Sequence, residues 1–88
     1  MANLLTASAG TMESNDCLMI VSESDQLKID LESIVYKQFK DQIEKVIRDT
    51  LKEKGYQKLH VHCQDKGALD YTIKARLLTA LERLEKLK

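Results

Sequence analysis

Leu27-Lys28-Ile29-Asp30-Leu31-Glu32 alternates apolar and charged side chains without a break. Successive side chains of a strand point to opposite faces, so this stretch reads as a half-buried strand with Leu27, Ile29 and Leu31 inward. Upstream, Cys17-Leu18-Met19-Ile20-Val21 is apolar almost throughout, as for a strand covered on both faces. The polar link Ser22-Glu23-Ser24-Asp25-Gln26 suits a hairpin between the two.

Downstream the period changes from two to 3.6. Ser33 is a plausible N-cap, and Val35, Phe39, Ile43, Val46, Ile47, Thr50 and Leu51 recur at the spacing of one helical face. Asp41–Lys45 and Glu44–Arg48 stand four apart on the other side, where opposite charges support a helix. Gly55 is the natural stop, giving a helix of about 21 residues, roughly 32 Å long. Lys58 to Gln64 alternates again, with Leu59, Val61 and Cys63 on one side and His60 and His62 on the other. Asp65-Lys66-Gly67 then turns into a second helix from about Leu69 to Leu87, with Leu69, Ile73, Leu77, Ala80, Leu81 and Leu84 inward. No proline interrupts either helix. The order β-β-α-β-α predicts an α+β fold: a two-layer sandwich with both helices on one face of a small mixed sheet. A strand–helix–strand unit of this kind pairs its strands in parallel.

Residues 1–16 are small and polar, without a sustained apolar period. They are expected to form a flexible or extended segment ending in a loop, ahead of a single domain over 17–88. With 88 residues, one domain is the natural expectation. No stretch approaches the roughly 20 apolar residues of a membrane span, and Met1 to Gly10 lacks the basic and apolar regions of a secretory signal. A cytoplasmic location follows as an expectation. The formal net charge is zero, which argues against nucleic-acid binding. The charge is uneven, however: residues 1–27 hold four acids and no base, while all 14 bases lie beyond. An acidic leading segment can steer association with a basic surface, or simply be solvated.

Chemistry-bearing residues are few. His60 and His62 share a strand face and could approach one ion, but no third ligand stands at fitting spacing, so solvent-facing histidines are expected. Cys17 and Cys63 fall on apolar positions and read as reduced, buried thiols. Asp65 and Asp70 bracket the turn before the second helix, where capping and the helix dipole account for them. No phosphate loop, nucleophile elbow or zinc-cysteine pair is present, so independent catalysis is not expected. What remains is a polar loop in which Ser14 presents an accessible hydroxyl.

That loop, Gly10-Thr11-Met12-Glu13-Ser14-Asn15-Asp16, resembles the Gly-Thr-x-Glu-Ser-x-Asp signature of the acyl carrier (gamma) subunits of bacterial citrate lyase. Asp65-Lys66-Gly67-Ala68-Leu69-Asp70, followed by Lys74-Ala75-Arg76, resembles a second stretch of that family, and Val35-Tyr36-Lys37-Gln38-Phe39 its Val-x-x-Gln-Phe pattern. Three such matches, in order and at fitting spacing, extend the resemblance over about residues 8–85. It implies a phosphodiester between Ser14 and 2′-(5″-phosphoribosyl)-3′-dephospho-coenzyme A, attached by a transferase that Glu13 and Asp16 could help to recognise. It implies an arm whose thiol holds acetyl and citryl groups for an alpha (acyl transferase) and a beta (citryl lyase) subunit, so that citrate is split to acetate and oxaloacetate in fermenting bacteria. The chain itself would be a carrier, not a catalyst. There is no Asp-Ser-Leu at a helix start, which sets the chain apart from four-helix phosphopantetheine carriers. The carrier subunit of malonate decarboxylase, similar in size and arm, is the near alternative; a non-carrier α/β interaction module is the distant one.

Overall fold

The computed structural model describes residues 4–34 and 37–88. Its elements are β1 (Thr6–Gly10), β2 (Cys17–Glu23), β3 (Lys28–Ser33), α1 (Lys37–Glu53), β4 (Leu59–Asp65) and α2 (Asp70–Lys86). The fold is α+β, as expected: a small mixed sheet with two helices. The sheet, however, has four strands in the order β1-β2-β4-β3. β1 pairs antiparallel with β2, β2 antiparallel with β4, and β3 parallel with β4.

Two expectations are corrected here. Residues 6–10, assigned no strand from sequence, form an edge strand in register with β2 from Thr6↔Ser22 to Gly10↔Leu18. The Ser22–Gln26 link reverses the chain but makes no hairpin pair, because β4 lies between β2 and β3. The burial patterns explain the insertion. β4 alternates fully buried and half-buried positions along its whole length, whereas β3 carries Lys28, Asp30 and Glu32. A charged strand is suited to an edge, where its side chains discourage further pairing. The parallel β3–β4 pair across α1 is as the strand–helix–strand pattern predicts.

The core lies between the sheet and the helices. Ala9, Cys17, Met19, Val21, Leu59, Val61 and Cys63 come from one sheet face. Ile43, Ile47 and Leu51 of α1 meet them, as do Ile73, Leu77, Ala80, Leu81 and Leu84 of α2. Burying one such Leu or Ile side chain stabilises by about 1.5–3 kcal/mol. Thr50 is buried with them, and its hydroxyl donates to the Val46 carbonyl at 2.8 Å, so no polar atom is stranded. The opposite face carries Ser8, Ile20, His62 and Asp30 in one row across the four strands.

The described residues of α1 run from Lys37, and residues 35 and 36, between it and the expected N-cap region at Ser33, lie outside the described residues. Ser33 ends β3, and its hydroxyl donates to the buried Asp65 carboxylate at 2.8 Å. Val35 lies outside the described residues. Phe39 and Leu69, expected inward from helical period, are 50% and 60% exposed. Both stand at helix starts, beyond the core, and line one cleft of about 220 Å³ with Gly67. Leu27 is likewise exposed, at the end of its link. The Glu44–Arg48 pair forms at 3.1 Å, but Lys45 reaches forward to Asp49 at 2.8 Å rather than back to Asp41. Gly55 ends α1 as expected: with φ +78 it lets its own N–H reach the Lys52 carbonyl and the Tyr56 N–H reach the Leu51 carbonyl, the paired bonds of a left-handed helix stop.

Candidate functional site

Ser14 stands at the tip of the β1–β2 connection. The loop begins where Gly10 takes φ +98; a Cβ there would lie 1.9 Å from the Cys17 carbonyl oxygen, so the strands close here only without a side chain. Thr11 then acts twice: its Oγ1 accepts from the Glu13 N–H at 3.2 Å and donates to the Asp16 carboxylate at 2.7 Å. The Asp16 N–H returns to the Glu13 carbonyl at 3.2 Å, which closes a turn with Ser14 and Asn15 at its centre. Asn15 takes φ +66, a left-handed conformation that asparagine tolerates better than most residues.

The turn is tied to the connection between β4 and α2. Asn15 N–H donates to the Lys66 carbonyl at 2.8 Å, and Lys66 N–H donates to the Asp16 carbonyl at 2.9 Å. Beneath them, Asp65 accepts from Ser33 Oγ and from the Ala68 N–H. Arg76, on α2, closes on the Asp16 carboxylate as a fork, Nε to Oδ1 at 3.0 Å and Nη2 to Oδ2 at 3.1 Å. Asp16 thus accepts from Arg76, Thr11 and the Cys17 N–H. The Arg76 and Thr11 hydrogen bonds hold its pKa at about 2, below the ordinary 3.8.

The Ser14 and Asp65–Arg76 stretches, distant in sequence, therefore form one structural unit. Ser14 is exposed, and its hydroxyl makes no hydrogen bond among the described residues. Sequence reasoning treated Asp16 as a recognition residue beside Glu13; the structure turns its carboxylate into the loop's internal brace and leaves Glu13 exposed. Arg76 as its partner went unforeseen. The only signal was that both residues fell in the quoted motifs.

His60 and His62 face away from the core and contact Asp30 at 2.7 Å and Glu32 at 3.2 Å across the β3–β4 pair. Among the described residues no group of three or more His, Cys, Asp or Glu could hold a metal ion. Cys17 and Cys63 are both free and fully buried. The contact with Cys17, together with burial, pushes the Cys63 thiol well above its ordinary value. Asp70 lies in the first turn of α2, yet the cap position is Leu69 and makes no side-chain cap bond. Among the described residues no helix is long and apolar enough to cross a membrane.

The described site is thus an exposed serine on a braced turn of a small α+β domain. Comparison gives the class: residues 5–84 match a family model of acyl carrier proteins described as "Malonate decarboxylase delta subunit (MdcD)". Three curated relatives narrow it. The chain is 51% identical over 82 residues to the citrate lyase acyl carrier protein of Halothermothrix orenii, covering 92% of this chain and 87% of that one. It is 54% identical to the protein of that name from Lactobacillus acidophilus (89% and 81% covered) and 51% to that from Streptococcus mutans (89% and 78%). The chain belongs to the citrate lyase acyl carrier protein family. No solved structure gives a significant match.

Proposed function

We propose that this chain is the acyl carrier subunit of a citrate lyase, with Ser14 as the attachment point of a phosphoribosyl-dephospho-coenzyme A arm. The observation that carries the reading is the free, exposed Ser14 hydroxyl at the centre of a turn fixed on both sides, in a chain about half identical to citrate lyase carriers. The fit is good: a phosphodiester needs an accessible oxygen, and Ser14 is exposed.

When attached, the arm supplies a thiol that carries acetyl and citryl groups as thioesters, and that reactivity belongs to the cofactor. The chain's own residues bind and present. Ser14 Oγ holds the arm, Thr11 and Asp16 shape the turn around it, and Lys66 and Arg76 fasten the turn to the domain. Because the turn is braced, reach comes from the arm and not from a mobile loop. Tethering makes each delivery intramolecular, at effective concentrations on the order of millimolar. Catalysis then falls to the alpha and beta subunits, and attachment to a separate transferase, all in the cytoplasm of a citrate-fermenting cell.

The description of the matching family model favours one second reading, the carrier of a malonate decarboxylase. The test is intact mass after co-expression with the maturation enzymes, with Ser14→Ala alongside. A mass increment equal to the arm, absent from Ser14→Ala, is expected. Loaded protein should then restore citrate cleavage to carrier-free alpha and beta subunits. Restoration of malonate decarboxylation instead would select the second reading, and an unmodified wild type would refute both.

A further inference from the structure

We infer that Arg76 is a positioning residue for the reaction at Ser14: acting through Asp16, its guanidinium holds the turn in the geometry from which the serine oxygen is modified. The inference deepens the proposed function and rests on Ser14 being the attachment site.

Within the turn, the Thr11 hydroxyl accepts from the Glu13 N–H and donates to the Asp16 carboxylate. The turn's closing backbone bond, Asp16 N–H to Glu13 carbonyl, is 3.2 Å long, and Asn15 next to the serine is left-handed. Its attachment to the rest of the domain comes from outside, through the two backbone bonds with Lys66 and through the Arg76 fork. The fork is built in, not accidental. Asp16 has only 13% of its side-chain surface exposed, and both its oxygens are engaged. The Arg76 stem passes over Gly10, where its Cδ would lie 3.3 Å from an added Cβ, so the start of the loop leaves room for the arginine. Arg76 stands on α2, whose inner face is anchored in the core, which gives the loop a rigid reference.

Two parallel N–H···O bonds fix orientation as well as distance, and a lysine ammonium cannot reproduce them. A partly exposed ion pair contributes little to global stability. The loss of Arg76 is therefore felt first at the turn, with a smaller effect across the fold.

The experiment compares full-length wild type, Arg76→Lys, Asp16→Asn and the double variant, at a temperature where circular dichroism shows all four folded. Two readouts are taken: amide exchange at Asn15 and Lys66 against Met19 and Val61, and single-turnover transfer of the arm to Ser14 at saturating transferase. Expected in Arg76→Lys is exchange at Asn15 and Lys66 about tenfold faster, with Met19 and Val61 less affected, since hydrogen bonds to charged groups weigh about this much. Arm transfer should slow by a similar factor in its saturated rate. The double variant should be no slower than Asp16→Asn alone, because both changes break one contact. Unchanged transfer in folded Arg76→Lys overturns the inference, as does slowing that appears only through a weaker apparent affinity. A wild type that takes no arm, while the exchange pattern still shifts in the variant, sinks the carrier reading and the inference with it, by a route distinct from the first two.

Discussion

Alanine at Gly10 should destabilise this domain far more than alanine at Gly55, although both glycines have positive φ. At Gly55 a Cβ meets nothing within 4 Å, so only the backbone conformation is penalised. A left-handed conformation costs a non-glycine residue about 1–2 kcal/mol. At Gly10 the same penalty applies, and the new Cβ would also stand 1.9 Å from the Cys17 carbonyl oxygen and 3.0 Å from its carbon. Those are backbone atoms of β2, which cannot swing aside as a side-chain tip could, and forced overpacking of this kind costs about 1–3 kcal/mol or more. Gly10→Ala should therefore lose about 3–5 kcal/mol in total, against about 1–2 kcal/mol for Gly55→Ala. Stability for a chain this long is roughly 4–13 kcal/mol, so the first loss is a large share and the second is not. Urea titration followed by circular dichroism measures both. In thermal scans each kcal/mol should appear as about 4–8 °C. A Gly10→Ala protein too unstable to show a folded baseline lies on the expected side. Two variants within about 0.5 kcal/mol of one another, inside the usual range of surface changes, would refute the argument and show that the β1–β2 closure yields easily.

Acid should act on Asp16 in a definite window. Its folded pKa of about 2 lies below the ordinary 3.8, so its stabilising contribution is complete above 3.8 and is lost as pH falls through 2. The difference in urea midpoint between wild type and Asp16→Asn should thus be constant down to about pH 4 and shrink below it; a difference that persists undiminished at pH 2 would contradict the Arg76 fork. The two thiols should react with a disulfide reagent only when the chain unfolds, at least on the order of a thousandfold slower in buffer than in denaturing urea. Rapid native titration of either thiol would mean that the core opens locally.

Periodicity made both helices and three strands legible before any coordinates. It placed Cys63 inward and His60 and His62 outward correctly, because alternation on a strand leaves no choice. It missed β1 because Thr6-Ala7-Ser8-Ala9-Gly10 buries only small side chains, Ala9 fully and Ala7 in part, which carry too little apolar contrast to register as a pattern. The placement of β4 between β2 and β3 was not readable either, since a four-residue link reverses the chain equally well with or without a strand in the gap. Phe39 and Leu69 kept helical period but stand at helix starts, outside the buried core. At the candidate site, Ser14 stood out through the motif around it. The brace did not, because Asp16 and Arg76 are 60 residues apart and nothing local in either stretch announces its partner.

The late arrival of β4 sets an order of events during synthesis. β2 and β3 are made first, yet neither can complete its pairing until residues 59–65 exist to fill the gap between them. Ribosomes add about 5–20 residues per second, so the front half of the chain waits for seconds with unpaired strand edges, a state prone to wrong association. Lys66 and Arg76 come later still. A nascent chain can therefore display Ser14 long before it can shape the turn around it, and the finished turn certifies that the domain behind it has been completed.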